Sequence, residues 1–347
     1  MLAACGFASP ATVSAQQSTT VVAERARGIQ LYNENNNQAA INELRTAVTK
    51  DKSDGDAWYY LGLALVRADD MKGARKAFES AVKLKPDFGP AHTGFAYALL
   101  AAGKDADVLR EATIAIKLRN SDFMAHYLRG VVRLRAGVPS DALTEGETAI
   151  AQNQTFAPAY LLKCQALLGL QGQEAAISSK VMKVPSDQPS TTAEQQERRE
   201  RARKTRESFA AAATALQTYL KLAASDRETA MWKEQLETLQ IFAGTETDST
   251  LKIYNGRDVT TKVKVLAKPE PIYTDRARNA GISGTVILRA VFSANGTVGH
   301  ILVLRSLPGG LTEQAIEAAK KIRFIPATRD GKLVAMIMEL QYNFSVF

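Results

Sequence analysis

Two cysteines, two tryptophans and three histidines are all that this 347-residue chain holds of the side chains that most often staple, stack or ligate metal. Cys5 lies in the opening segment and Cys164 far downstream, so loss of that segment leaves one thiol and no disulfide within a chain. No Cys or carboxylate cluster completes a metal site around any histidine. Neither a Ser/His/Asp arrangement nor a phosphate-cradling loop nor a paired-carboxylate motif emerges. "GISG" at 281–284 and "PGG" at 308–310 read as turn glycines. The expectation is therefore no catalytic residue, no cofactor-binding or metal-ligating residue, no small-molecule substrate and no enzyme. No apolar run approaches the ~18 residues of a membrane-spanning helix. Eleven prolines are too few for a long Pro-rich spacer.

What is present is a period. "AVKLKP" at 81–86 returns as "AIKLRN" at 115–120, thirty-four residues later. The same step joins Gly28, Gly62, Ala96, Gly130 and Cys164, all small. It also joins Ala40, Ala74, Val108, Ala142 and Ala176, and Ala47, Ala81, Ala115 and Ala149. An interval of this size marks a repeat architecture. Within one period, Trp58, Leu61 and Leu65, then Ala74, Phe78 and Ala81, form two helical stripes separated by a turn near Asp69 to Gly73. Small residues belong where paired helices cross, since side-chain bulk sets how closely their axes approach. A hairpin of this kind buries its apolar face only by stacking on its neighbours.

Trp58, Leu61, Gly62, Leu65, Ala74, Phe78, Ala81 and Pro86 resemble the signature of the tetratricopeptide repeat. The resemblance implies an all-α superhelical solenoid over 21–188, with five repeats at 21–54, 55–88, 89–122, 123–156 and 157–188. Beyond a Pro/Ser/Thr stretch at 184–192, residues 189–243 read as a charged helical pair capping the stack. Oppositely charged neighbours such as Glu197 with Arg201 support its first helix. No aromatics interleave with its basic residues, so nucleic acid is not expected. Cys164, on the small column, reads as a packing thiol. His92 and His126 occupy the column of Trp58 and Tyr160, where aromatic packing accounts for them without metal.

The first twenty residues read as the remnant of a leader, with Val13-Ser14-Ala15 as a signal-peptidase site. Leu2-Ala3-Ala4-Cys5 fits a lipoprotein box, and a start without targeting role stands as the third reading. Export, taken with the resemblance of the carboxy-terminal segment described below, implies the periplasm or envelope of a Gram-negative-type bacterium. Its net charge of +8 favours acidic partners or an anionic membrane surface.

After a linker at 244–250 the period falls towards two. "GTVILRAVFSANGTVGHILVLRS" reads as two strands joined at Asn295-Gly296, a dipeptide suited to the positive φ angles of a tight hairpin. "LTEQAIEAAKKIRF" reads as a helix, a short helix is expected at 274–280, and 333–345 alternates as a strand. "TTKVKVLA" at 260–267 is a candidate edge strand. Pro271-Ile272-Tyr273, Ala277, Gly281, Gly284-Thr285-Val286, Gly296, Val298, Leu311, Ala315, Ala318, Phe324, Pro326-Ala327, Gly331 and Phe344 resemble the TonB carboxy-terminal domain. The resemblance implies a small α+β domain over 251–347, an antiparallel sheet with two helices, that binds by adding a partner's strand to an open sheet edge. Tyr273 is followed by Thr274 where energy transducers carry Tyr-Pro.

The combined reading is a multidomain protein–protein interaction scaffold whose partners are proteins or peptides, outer-membrane receptors or other envelope proteins among them. The alternative is a Ton-type energy-coupling component of receptor transport. The repeat resemblance places groove contacts at Arg25, Asn33, Tyr59, Arg67, Tyr97, Tyr127 and Arg135, each with packing between helices as its other role. Tyr273, Glu339, Gln341 and Asn343 are the candidate contacts of the second domain. The strand 333–345 is its candidate edge, with plain core structure as the competing role.

Overall fold

The structure, a computed structural model, describes residues 10–118, 122–181, 192–223, 229–244 and 252–345. Residues 1–9 with Cys5, residues 184–191 of the Pro/Ser/Thr stretch and linker residues 245–250 lie outside the described residues. Val13-Ser14-Ala15 falls inside the first helix. The chain divides into two compact units, Met1–Val132 with Ala151–Asn153, and Arg133–Ile150 with Gln154–Phe347. Its first half is a tetratricopeptide-type helical array and its last part a small sheet domain.

The first unit stacks antiparallel pairs: α1 (Pro10–Asn33) with α2 (Asn37–Lys50), α3 (Gly55–Arg67) with α4 (Met71–Leu84), and α5 (Gly89–Ala101) with α6 (Asp105–Leu118). The start of α7 (Phe123–Arg135) follows. Turn chemistry explains the period. Asn35, Asp69 and Gly103, each thirty-four residues apart, all take positive φ, between 60° and 69°. Around each, paired backbone bonds close the helix end. Asp70 N donates to the Leu65 carbonyl at 2.9 Å and Asp69 N to the Val66 carbonyl at 3.1 Å, and the other turns repeat the pattern. This is the Schellman stop, which favours Gly and tolerates Asn or Asp. Asp70 then caps α4 through Gly73 N at 2.8 Å.

The small column works as steric relief. A Cβ on Gly62 of that column would stand 2.6 Å from the Phe78 ring, and one on Gly94, two residues before the column's Ala96, would stand 2.5 Å from it. Phe78 is fully buried there. One aromatic ring of α4 thus fills the space vacated by glycines on α3 and α5.

In the second unit, α8 (Pro139–Gln152) follows Gly137, which continues the positive-φ series at 74°. The next position of that series is Gln171, and there the pattern stops. The segment 157–188, expected as a fifth hairpin, instead opens with one unbroken helix, α9 (Ala157–Val181). With no residue adopting the left-handed stop, the helix runs on. Helices α10 (Thr192–Leu222) and α11 (Thr229–Ala243) pack beside it, with Phe209, Leu216 and Leu239 in their shared core. Cys164 lies in the same cluster, and burial pushes its thiol up to about 12, which makes it a packing group rather than a nucleophile at neutral pH.

The sheet orders four strands as β1 (Ile253–Tyr254), β7 (Lys332–Phe344), β3 (Gly284–Phe292) and β4 (Val298–Arg305). β3 runs antiparallel to both neighbours, and β1 runs parallel to β7. The strand 333–345 is therefore interior along its inner side, paired with β3 from Met336 to Phe344. Helices α12 (Asp275–Asn279) and α13 (Leu311–Lys320) cover one face, over Val286, Leu288, Phe292, Leu340 and Tyr342. The other face is not left to solvent. Ile287, Val291, Leu302 and Leu304 pack into the core of α9, α10 and α11. Helix α9 comes so close that a Cβ on Gly172 would stand 3.1 Å from the Leu304 carbonyl.

Two details differ from the sequence reading. The hairpin between β3 and β4 is not the two-residue type: among its residues only Gly296 has positive φ, at 85°, and Ser293 N closes the loop on the Thr297 carbonyl at 2.9 Å. Asn295 instead accepts from Thr297 N, so a turn followed by one left-handed glycine makes the bend. The segment 260–267 does form an edge, but as β2 (Lys264–Ala267) it pairs with β5 (Arg323–Ile325). Thr261 bridges Thr328 of β6 (Ala327–Arg329), which in turn pairs the start of β7.

Candidate partner-binding surfaces

In the first unit the expected groove side chains divide into two kinds. Arg25 donates twice to Asp54, at 3.0 and 3.1 Å, while Asp54 caps α3 through Ala57 N at 3.0 Å. One repeat on, the same pair of positions holds Tyr59 and Phe88, in edge contact at 5.0 Å. One further on, Thr93 donates to Asp122, which caps α7 through Ala125 N at 3.0 Å. These positions tie each repeat to the next. Arg67 is also engaged: its guanidinium lies 3.7 Å from the Tyr32 ring centroid and donates to the Tyr32 carbonyl at 2.6 Å. Tyr127 is half-buried against the core. Asn33 and Tyr97 are exposed, and their side chains make no hydrogen bond among the described residues. Arg135 is exposed and falls in the second unit.

The ring column carries a chemistry that packing alone did not reveal. Trp58 Nε1 donates to the Lys52 carbonyl at 3.0 Å, His92 Nε2 meets the Pro86 carbonyl at 2.9 Å, and Tyr160 O–H donates to the Gln154 carbonyl at 3.1 Å. Each reaches back six residues to a carbonyl of the turn between repeats. Trp, His and Tyr share a ring that carries a donor, and that shared property was the readable signal.

His92 has a second partner, Glu111 Oε2 at 2.7 Å, and both side chains are buried. A neutral imidazole donates through one nitrogen only, so these two acceptors are satisfied by the imidazolium. Burial opposes that charge, but the Glu111 carboxylate and the Pro86 carbonyl outweigh it and raise the His92 pKa. Burial likewise opposes ionisation of Glu111, and His92 and Arg110 outweigh it, lowering that pKa. The His92 contribution is complete below its ordinary value of 6.5 and is lost as pH rises through the raised value. The Glu111 contribution is present above 4.5 and is lost as pH falls through the lowered value. His92→Gln is therefore expected to lower the urea midpoint of the first unit more near pH 5.5 than near pH 9. Equal losses at the two pH values would remove the ion pair from the account. Among the described residues no cluster of His, Cys, Asp and Glu is arranged to hold a metal ion.

In the sheet, the two outer edges differ. At the edge of β4, Gln235 of α11 donates to the Ile301 carbonyl at 3.0 Å. The outer side of β7 pairs with β1 only at Ala335 and Met336. Beyond, from Ile337 to Phe344, no described strand pairs that side. The Gln341 carbonyl accepts from Lys268 Nζ at 2.7 Å, so its backbone polar groups face away from β3. Antiparallel alternation then turns those of Glu339 and Asn343 the same way. Their side chains are held by β3: Glu339 pairs with Arg289, and Asn343 Oδ1 accepts from Thr285 at 2.7 Å. Tyr273 stacks on Phe344 at 6.0 Å and donates to the Ile282 carbonyl. Beside them opens a cleft of about 480 Å³ lined by Glu270, Pro271, Tyr273, Arg278, Asn343 and Phe344.

Residues 269–346 match the family model described as the Gram-negative bacterial TonB protein C-terminal, and residues 25–87 match a tetratricopeptide repeat model. The chain thus joins a segment of tetratricopeptide repeats to a TonB-type carboxy-terminal domain. No curated protein matches it. Among solved structures, this tetratricopeptide–TonB protein is similar to PilW, a type IV pilus biogenesis factor, at 13% identity over 65% of this chain and 87% of the other, with a TM-score of 0.47. It is similar to YrrB, described as a tetratricopeptide protein with an unusual peptide-binding site, at 15% identity over 66% and 100%, with a TM-score of 0.42. MamA aligns at 16% identity over 49% and 99%, with a TM-score of 0.41. No helix among the described residues is long and apolar enough to cross a membrane.

Proposed function

We propose that this protein is an exported envelope scaffold that holds one polypeptide partner on its helical repeats and receives an extended strand from another along the outer edge of β7. The observation that supports the reading is the outer side of β7: from Ile337 to Phe344 it has no strand partner among the described residues, and the backbone polar groups of Glu339, Gln341 and Asn343 face outward along it. Backbone hydrogen bonds along such an edge supply affinity, and the adjoining cleft beside Tyr273 and Phe344 receives a side chain of the added strand. Packing of the sheet onto α9, α10 and α11 favours a fixed scaffold over a domain borne on a long spacer as in receptor energisation. On the repeats, Asn33 and Tyr97 are the expected groove contacts available to a ligand, since Arg25 and Arg67 are committed to ties between repeats.

Two variants of the full chain test the two surfaces in capture experiments on envelope extracts. Gln341→Pro with Asn343→Pro removes outward-facing donors only and spares the ladder to β3. It is expected to abolish capture of the strand partner while circular dichroism stays unchanged. Asn33→Ala with Tyr97→Ala is expected to abolish capture of a different protein. Undiminished capture by a folded proline variant would rule out strand addition at this edge.

A further inference from the structure

The positive charge of this protein is concentrated. Residues 252–345 carry fourteen Lys and Arg against seven Asp and Glu, a net +7 out of the whole chain's +8. Within that domain the two segments that pair to form the β2–β5 ribbon are more extreme. With their flanking residues, 259–269 and 318–329, they hold seven Lys and Arg and no Asp or Glu; of these, Lys320 and Arg329 pair with Glu317 and Asp330 just outside. Pairing brings them side by side: Lys264 lies directly across from Ile325, and Ala267 across from Arg323. Phe324 turns inward to the core, so its neighbours Arg323 and Ile325 turn outward.

Aliphatic side chains stand exposed among these cations. Leu266 is 60% exposed and Ile325 49%. Lys262, Lys264 and Arg323 are exposed and form no ion pair among the described residues. Lysines on an edge strand commonly serve only to repel other strands. That role does not account for projecting leucine and isoleucine, which would invite association. Nor is the ribbon built for nucleic acid, because its one aromatic, Phe324, is buried and offers no face for stacking. Cations beside projecting aliphatics, without a carboxylate among them, complement an anionic lipid surface: the cations meet headgroup phosphates, and the aliphatic tips enter the headgroup–acyl boundary.

We infer that the β2–β5 ribbon is a peripheral docking surface for an anionic lipid bilayer, with Lys262, Lys264 and Arg323 as the electrostatic contacts and Leu266 and Ile325 as the inserting ones. The inference does not depend on strand addition at the β7 edge.

The test is co-sedimentation of the full chain with vesicles of phosphatidylcholine containing about 30% phosphatidylglycerol, against vesicles of phosphatidylcholine alone. The protein is expected on the anionic vesicles only, and binding is expected to fall steeply between about 0.1 M and 0.5 M salt. Lys264→Glu with Arg323→Glu is expected to weaken binding about thirtyfold or more. Leu266→Ser with Ile325→Ser is expected to weaken it about tenfold while the salt dependence persists. All four side chains are exposed, and circular dichroism checks that each variant is folded. Equal binding to both kinds of vesicle, or anionic binding unchanged in the charge-reversed variant, would overturn the inference. So would retention on polyglutamate with no vesicle binding, which would give the ribbon to an acidic polypeptide instead.

Discussion

Phe78→Ala is expected to lower the stability of the helical array by about 4 kcal/mol, near the top of the range for a buried aromatic. The ring has no exposed surface, and it stands where Cβ atoms on both Gly62 and Gly94 would otherwise be. Deleting it empties a space bounded on two sides by glycine, which has no side chain to move in. Collapse would require α3 and α5 to shift towards α4, against the ties that Arg25 makes to Asp54 before α3 and that Thr93 of α5 makes to Asp122. Stability in a repeat array is shared between neighbours, so the loss should spread to the adjoining hairpins as a lower urea midpoint with a reduced slope. A loss under about 1 kcal/mol would mean that the helices close over the cavity, and that the small column is not what sets their spacing.

Aspartate at either of two adjacent positions, Ile287 or Leu288, is expected to cost the second unit more than about 4 kcal/mol, enough to prevent its folding. Adjacent strand residues face opposite ways, so in a sheet with one wet face one of these substitutions would be tolerated. Here both are buried. Leu288 lies under α12 and α13 among Phe292, Leu311 and Leu340. Ile287 lies against α9, α10 and α11 with Phe209, Leu216 and Leu302. An unpaired carboxylate at either site loses its water and gains no partner. Thermal unfolding followed by near-ultraviolet circular dichroism reads the outcome. A cooperative transition at the parental temperature for Ile287→Asp would mean that the helices do not cover that face.

The repeat register was legible because it depends on local chemistry recurring at a fixed interval. Gly28 and Gly62 mark where helices cross, and Asn35, Asp69, Gly103 and Gly137 mark where they stop. The fifth hairpin misled because Cys164 keeps the small column while Gln171 has lost the stop. Packing and turn signals separate there, and the turn decides how long the helix runs. Ile287, Val291, Leu302 and Leu304 were visible as apolar residues on the face of β3 and β4 turned away from α12 and α13, a signal of a second cover that the alternation of β7 obscured. The candidate groove was harder to read. Arg25 and Arg67 look like ligand contacts in one dimension, but their acceptors, Asp54 and the Tyr32 carbonyl, lie roughly one repeat away in sequence.

The order of the amino acids by itself determined the first four hairpins, the strands β3, β4 and β7, and where the rhythm passes from helix to strand. Those choices rest on contacts between residues close in the chain and on a period that any window reveals. Which edge of the sheet stays open, which arginine is already spent on a neighbouring repeat, and which strand becomes a cationic ribbon were decided only on folding. Each depends on pairing partners tens of residues apart, such as Gln235 with Ile301 or Lys264 with Ile325, and no local pattern specifies those distances.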